Sequence, residues 1–269
     1  MTEARPLRST SELAEKQRPD STGSAGSAVK WVTRYVLAGS AFVVALSVAT
    51  RAQRTSDDVL PKVDHLVYAT PDLDLGVKTI ESLLGVRATA GGQHPGLGTR
   101  NALIALGPST YLEIIGPDPD QPRLSQPRRF GIDDLKAPRL VGWVAKGTQL
   151  EQVVVNARNA GVGLGTVIAG SRKRPDGAVL SWRYTDPGVV LENRLIPYFI
   201  DWGASPHPAS TAPRGATLVA FRAEHPEAGR IQAMLRQLGL NLPVQQGSRP
   251  ALIATIASPK GRVELRGSS

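Results

Sequence analysis

Val63-Asp64-His65-Leu66-Val67-Tyr68 is an apolar run with one histidine, and it predicts the first strand of the folded region. A second apolar run, Tyr111-Leu112-Glu113-Ile114-Ile115, predicts a later strand that carries a single carboxylate. Neutral imidazole and carboxylate oxygen are ligands of divalent metals. His65 and Glu113 are therefore candidate metal ligands with open positions left for a substrate. The alternative is that they form a buried polar pair or point to solvent.

A unit that begins with a strand and a helix recurs along the chain. Each predicted helix ends at a glycine, at Gly85, Gly161 and Gly239. The first helix has its apolar side chains on one stripe, and Asp72 or Asp74 can cap it. Residues 148–151 have capping-box spacing and predict the start of the second helix. The chain thus shows threefold internal similarity.

Short β-like runs, separated by polar turns with glycine or proline, follow each helix. Each unit therefore reads as βαβββ, and the predicted fold class is α+β. A half-covered sheet of this kind cannot bury its inner face alone, so we expect curved sheets paired around a shared cleft. The predicted modules cover residues 62–138 and 139–208, and a third, module-like unit covers residues 215–267 at the C-terminus.

These features resemble the vicinal oxygen chelate superfamily, and more closely its glyoxalase-like domain family. The resemblance rests on the strand with His65 and on several separated motifs in order, at residues 91–103, 111–115, 172–177, 180–183, 196–203 and 206–208. It covers roughly residues 62–266 and implies the vicinal oxygen chelate fold. The superfamily includes glyoxalase-type lyases and isomerases, extradiol dioxygenases, epimerases, thiol transferases and metal-free binding proteins, so the fold alone does not define the activity.

The resemblance also implies a divalent metal ion in the cleft, which would chelate neighbouring substrate oxygens and stabilise an enolate or similar intermediate. His65 and Glu113 would be two of its ligands. The residue in register with His65 in the second unit is Gly142, so the imidazole or amide that many superfamily enzymes place there is absent. Asp201 is the candidate third ligand, although its offset from Gly203 turns it to the other sheet face unless a bulge re-aims it. Its alternative role is to cap a turn.

His94 is, with Glu113, a candidate catalytic residue. It stands in a Gly- and Pro-rich stretch that predicts a loop, where it would act as a proton shuttle or substrate donor; the alternative is an exposed loop histidine. The arginines among the candidate substrate contacts suit a carboxylate or phosphate, and the alternative for the run at 172–174 is a solvated loop. The tryptophans would form core or pocket wall. The candidate substrate-binding residues are Arg100, Asn101, Arg172, Arg174, Trp182 and Trp202.

The first sixty residues differ from the rest. Residues 1–28 are rich in Ser, Gly and charge and predict disorder, residues 29–54 contain a hydrophobic segment, and residues 55–61 form a linker. The uncharged run at 35–50 is shorter than the roughly 20 residues that span a bilayer, so a transmembrane helix needs flanking residues as well. A signal peptide cleaved after Ala49 or Ala52 and a later translation start are the alternatives. The expected localisation is membrane-anchored or exported, with cytoplasmic as the alternative.

The composition narrows the function classes. The net charge of +9 favours anionic ligands, and zero cysteines exclude thiol nucleophiles, disulfides and cysteine-ligated metals. Basic and aromatic residues do not alternate as in a nucleic-acid module, so no nucleic acid partner is expected. The predicted function is a metal-dependent enzyme acting on a small oxygenated, anionic metabolite by lyase, isomerase or dioxygenase chemistry, and the alternative is a metal-free binding protein. A homodimer and membrane contact through residues 31–50 are further expected associations.

Overall fold

The computed structural model describes residues 59–122 and 124–268. The predictions for residues 1–28 and 29–54 concern segments outside these described residues. The last part of the predicted linker is in the folded region, because Val59 is fully buried and Leu60–Lys62 form a short 3-10 helix that leads into the first strand.

The first module has the predicted βαβββ order. Asp72 caps its helix by accepting the Leu75 N–H at 2.8 Å, and Gly85 ends the helix with a left-handed φ of 68°. Both the predicted cap and the predicted stop are confirmed. The elements are β1 (Val63–Ala69), α1 (Leu73–Leu84), β2 (Thr89–His94), β3 (Thr99–Gly107) and β4 (Thr110–Pro117).

The second module repeats this order. Its helix begins differently from the prediction: Gln149 occupies the N-cap position with a φ of 51° and makes no side-chain capping bond, so the capping box is not formed. Gly161 follows the helix with a φ of 78°. The elements are β5 (Arg139–Lys146), α2 (Leu150–Asn159), β6 (Val167–Lys173), β7 (Val179–Thr185) and β8 (Tyr198–Asp201).

The strands of these two modules close into one barrel in the order β1-β4-β3-β2-β6-β7-β8-β5. β1 and β5 form an extended antiparallel ladder on one side. On the other side β2 and β6 meet through the single pair Gln93 and Lys173. The barrel is therefore joined firmly at one junction between the modules and narrowly at the other.

The third unit also has the βαβββ order, but its strands pair differently. They form a separate sheet in the order β10-β9-β11-β12, whereas in the first module the first strand pairs with the last. This sheet packs on the outside of the barrel, where the rings of Phe221 and Trp143 meet edge to face at 5.3 Å. The elements are β9 (Thr217–His225), α3 (Ala228–Gln237), β10 (Val244–Gln246), β11 (Ala251–Ser258) and β12 (Gly261–Ser268).

β1 is buried on both faces, and the alternation of its side chains between these faces determines which of them enter the barrel. Leu66 and Tyr68 pack outward against the helices and the third sheet, while Val67 and Ala69 pack inside the barrel. Because His65 is two residues from Val67, its side chain shares the inner face. The imidazole of His65 therefore lies inside the barrel.

The prediction of a transmembrane helix is wrong for the part of the chain that the structure describes. No helix within residues 59–122 and 124–268 is long and apolar enough to cross a membrane. The hydrophobic segment at 31–50, on which that prediction was based, lies outside this part.

Candidate active site

The barrel encloses a cleft with about 650 Å³ of empty space, part of it open to solvent. Strands of both modules line it, and the connection between the modules adds Arg129 and Phe130. The first module contributes most of the proton-accepting side chains, and the second contributes an arginine and most of the aromatic rings. Its polar and aromatic lining comprises His65, His94, Thr99, Asn101, Tyr111, Glu113, Arg129, Phe130, Arg172, Trp182, Tyr184, Tyr198 and Trp202.

His65 and Glu113 face each other in this cleft. Strands β1 and β4 pair in parallel with Val67 beside Glu113, which puts both polar side chains on the inner face. The His65 Nε2 and Glu113 Oε2 atoms are 3.8 Å apart, and both residues are buried. The imidazole also stacks on Tyr111, with ring centroids 4.5 Å apart. The structure therefore brings the two side chains together without a direct hydrogen bond between them.

Asp64 orients His65, and it was not among the sequence-based candidates. It is 1% exposed, and its carboxylate accepts hydrogen bonds from His65 Nδ1 at 2.7 Å, Trp202 Nε1 at 3.1 Å and His207 Nε2 at 3.2 Å. Burial by itself would raise the pKa of Asp64, but the hydrogen bonds from His207 and His65 outweigh it and hold the pKa below its ordinary value. An ionised carboxylate only accepts, so the Asp64 bond fixes a proton of His65 on Nδ1 and turns the Nε2 atom of the ring toward Glu113.

A β-bulge gives Asp64 this direction. The ladder between β1 and β5 shifts register between Val63 and His65, which leaves Asp64 as the extra residue. A bulged residue is re-aimed relative to the regular pleat. Asp64 can therefore reach the ring of its own neighbour, and the sequence signal was only an acidic residue in an apolar strand.

Asn101 links the carboxylate to the second module. Its amide nitrogen donates to Glu113 Oε1 at 2.6 Å, and its carbonyl oxygen accepts from Arg172 Nη1 at 3.1 Å. Both ends of the amide are thus assigned, because a guanidinium only donates and a carboxylate only accepts. The His94 Nε2 atom lies 3.7 Å from the same Glu113 oxygen, and its Nδ1 lies 3.0 Å from the Thr99 hydroxyl. Glu113 is therefore flanked by an imidazole on each side and held by an amide.

The loop predicted around His94 is corrected here, and the alternative of a solvated loop is excluded for Arg172. His94 is not in a loop: it is the last residue of β2 and is buried. Arg172 is not in a solvated loop either, because it lies on β6, is 4% exposed and projects into the cleft. Each stretch was rich in residues that favour loops, yet pairing with a neighbouring strand overrode this local tendency.

The other predicted substrate contacts divide between the cleft and the outside. Trp182 and Trp202 line the cleft with ring centroids 5.1 Å apart. Arg174 lies outside it and pairs with Asp176 at 3.0 Å. Arg100 also lies outside, because it alternates along β3 with the inward-facing Asn101.

Asp201, the predicted third metal ligand, does not join His65 and Glu113. It is absent from the cleft lining, and its Oδ1 accepts the Gly203 N–H at 2.9 Å, which is the turn-capping alternative. The offset that turns Asp201 to the other face is therefore not corrected by a bulge. Across residues 59–122 and 124–268, no group of three or more His, Cys, Asp or Glu side chains is placed to hold a metal ion.

The position opposite His65 in the second module supplies no ligand. β1 and β5 pair antiparallel with Leu66 beside Trp143, which makes Gly142 the counterpart of His65. The side chain of Arg194 covers this glycine: its Cβ and Cδ lie 3.5 Å from where a β-carbon on Gly142 would stand. The side chain of a cationic residue, Arg194, therefore packs against Gly142, the position where the second module would be expected to supply a metal ligand.

The counterpart of Glu113 is also changed. Val67 pairs with Glu113 as Val144 pairs with Tyr198, so Tyr198 takes the carboxylate position in the second module. Burial raises the pKa of Tyr198 well above its ordinary value, which keeps it a neutral phenol and a poor metal ligand. A catalytic metal usually has three protein ligands. The described residues offer two of them, with guanidinium groups nearby, and so do not fit a resident metal.

Two curved βαβββ modules around one polar cleft are the vicinal oxygen chelate fold. A model of the glyoxalase-like domain family matches residues 63–239, and the chain belongs to that family. A hypothetical protein from Staphylococcus aureus is similar in structure, with a TM-score of 0.50, 12% identity, and coverage of 76% of this chain and 84% of that chain.

Epimerase structures are more distant matches. Methylmalonyl-CoA epimerase from Mycobacterium tuberculosis has a TM-score of 0.35 and 16% identity, covering 53% of this chain and 87% of that chain. The Streptomyces coelicolor enzyme, in complex with 2-nitronate-propionyl-CoA, has a TM-score of 0.37 and 14% identity, covering 54% of this chain and 96% of that chain. No curated protein matches the chain.

Neutral His94 is expected to make stability depend on pH. Burial lowers the pKa of His94, and the positive charges of Arg172 and Arg129 add to this, whereas Glu113 opposes it. The unfolded histidine takes up a proton near its ordinary pKa of about 6.5, while the folded one stays neutral to lower pH. Stability from this residue is therefore present above about pH 6.5 and lost as pH falls through the folded pKa. Urea unfolding between pH 7.5 and 5 should show a smaller loss in His94→Gln than in wild type; parallel curves would contradict it.

Gly91 is expected to be essential for the link between Asn101 and Arg172. A β-carbon on Gly91 would come 2.2 Å from Asn101 Oδ1 and 2.3 Å from Arg172 Nη1. Gly91→Ala should therefore break this hydrogen bond and lower the free energy of unfolding by about 1–3 kcal/mol, as overpacking does. Gly163→Ala is the matched control, because a β-carbon there meets nothing within 4 Å. Equal urea midpoints for the two variants would show that the space is not needed.

Proposed function

We propose that the protein is an acid–base enzyme of the lyase or isomerase type that moves a proton on a small, oxygenated, anionic substrate without a resident metal. The observation that carries this proposal is the pair of proton-transferring groups, the Glu113 carboxylate and the His65 imidazole, whose Oε2 and Nε2 atoms face each other across 3.8 Å in a buried cleft. The predicted metal-dependent and dioxygenase chemistry is not part of the proposal, because the described donor set does not fit a metal.

The charge of the cleft supports an anionic substrate. Arg172 and Arg129 both line it, and Glu113 is the one carboxylate among the lining residues of the described structure. A guanidinium presents a planar fork of donors that matches a carboxylate. The aromatic rings around these groups, including Trp182 and Tyr184, exclude water and favour an apolar part of the substrate. The substrate class is therefore a small carboxylate with a carbonyl group and an apolar portion.

The residues divide the proton transfer between them. Glu113 takes the proton from the carbon next to the substrate carbonyl, and the negative charge that develops on the carbonyl oxygen is stabilised by the Arg172 guanidinium. Asn101 holds the Glu113 carboxylate in position through its 2.6 Å hydrogen bond. The proton then returns to the substrate from Glu113 or passes through the Nε2 atom of His65, which Asp64 keeps oriented.

Proton exchange with solvent tests this proposal directly. Chelator-treated protein in D2O would be incubated with a panel of 2-oxo acids and dicarboxylates, and loss of the proton beside the carbonyl followed by NMR. We expect exchange at the same rate with and without added Mn²⁺ or Zn²⁺. Exchange that appears only with added metal would contradict metal independence, and saturable binding of panel anions without exchange would indicate a binding protein.

Elemental analysis gives a second test. Purified wild type and the double variant His65→Ala with Glu113→Ala should contain equal and substoichiometric amounts of transition metal. A metal present at one ion per wild-type chain and lost in the double variant would overturn the metal-independent proposal.

A further inference from the structure

A second groove lies on the outer face of the barrel, between α1 and the strands β2, β3 and β6. It has about 1150 Å³ of empty space, part of it open to solvent. Its lining is strongly basic: the side chains of Arg87, Arg100, Lys173 and Arg174 contribute, against the single carboxylate Asp74 among the lining residues of the described structure. The groove lies on the other face of the sheet from the cleft, because its Arg100 faces away from the cleft residues on either side of it on β3; among the lining residues the two share only Asn101.

Three of these four cations have no counter-ion among the described residues. Arg100 is half-buried: its Nε atom is enclosed and makes no hydrogen bond to any described residue, so a ligand in the groove would meet the terminal nitrogens of its guanidinium. Arg174 is paired with Asp176, but Arg87, Arg100 and Lys173 make no ion pair with any described residue. The groove therefore has three positively charged side chains that no described carboxylate neutralises through an ion pair.

We propose that this groove binds the phosphate groups of a small, soluble phosphorylated compound. Guanidinium groups bind phosphate oxygens through parallel hydrogen bonds, and the Lys173 ammonium adds a point charge. The space exceeds what one phosphate fills, so two linked phosphates suit the four cations better than one. Asp74 limits affinity by repelling the ligand from the α1 side. This site does not depend on the proton-transfer chemistry of the cleft.

Calorimetric titration with inorganic pyrophosphate tests the site. Wild type should bind saturably, more tightly than it binds inorganic phosphate, and more weakly as salt rises. Arg100→Gln and Lys173→Gln should each weaken binding about tenfold, the loss expected for one charge-assisted hydrogen bond. Asp74→Asn should strengthen binding several-fold, because it removes the repelling charge. Arg236→Gln, the same charge change on exposed α3, should leave the affinity unchanged.

The test also separates competing explanations. Lys173 is exposed, so its variant stays informative if Arg100→Gln fails to fold, and circular dichroism checks each variant. No saturable heat with pyrophosphate overturns the proposal, as does an equal loss in Arg236→Gln, which would show only a net-charge effect. Binding to phosphatidylserine vesicles without pyrophosphate binding also overturns it, because the phosphate source would then be a lipid surface.

Discussion

Replacing Glu113 by glutamine is expected to lower the rate of substrate proton exchange by a factor of about 10²–10⁴, the usual contribution of a general base. Glutamine keeps the size of the side chain and can still accept the Asn101 amide hydrogen bond, so the fold and the cleft should persist. The variant loses only the proton-accepting charge. We therefore expect kcat to fall while KM changes little, because the arginines that bind the anionic substrate are untouched.

A matched control makes this result specific. Glu151 is exposed on α2, pairs with Arg183 and lies outside the cleft lining, so Glu151→Gln removes the same charge elsewhere. Its exchange rate should equal that of wild type. A Glu113→Gln variant that keeps its exchange rate within twofold of wild type would remove Glu113 from the role of base, and an equal fall in both variants would indicate a non-specific charge effect.

The modules could be predicted because their signals are local. Apolar periodicity, the Asp72 cap and the stop at Gly85 act within a few residues of each other, and the structure reproduces them. The pairing of the third sheet could not be predicted in this way. Its strand order depends on contacts with the barrel, such as the one between Phe221 and Trp143, which join residues far apart in sequence.

The site was predictable where a polar residue interrupts a regular apolar strand, as His65 and Glu113 do. His94 and Arg172 were also named as candidates, but the strands that carry them were missed where the backbone is irregular or the strand is polar. β2 shifts its register between Ala90 and Gly92, and this irregularity hid the strand that carries His94. The strand position of Arg172 was missed because three consecutive cations favour a solvated loop, whereas β6 includes Arg172 and Lys173 and its alternation buries only Arg172.

Asp64 illustrates the same limit, and replacing it by asparagine is expected to have the largest effect on stability. Its carboxylate accepts hydrogen bonds from His65, Trp202 and His207 at once. An asparagine amide presents two donors of its own, so at least one of the three donors would be left facing another donor. Breaking a buried network of this kind should lower the free energy of unfolding by about 3–5 kcal/mol. Urea unfolding at pH 7, followed by tryptophan fluorescence, would measure it.

The pH dependence distinguishes this network from simple packing. Because the folded pKa of Asp64 is lowered, its ionised form adds stability that is fully present above the unfolded value of about 3.9 and is lost as pH falls through the folded pKa. The difference between wild type and Asp64→Asn should therefore shrink at acidic pH. Asp201→Asn is the matched control, since asparagine can still accept the Gly203 N–H. A difference below about 1 kcal/mol at pH 7, or one that stays constant into acid, would mean that the three hydrogen bonds do not act through the charge of Asp64.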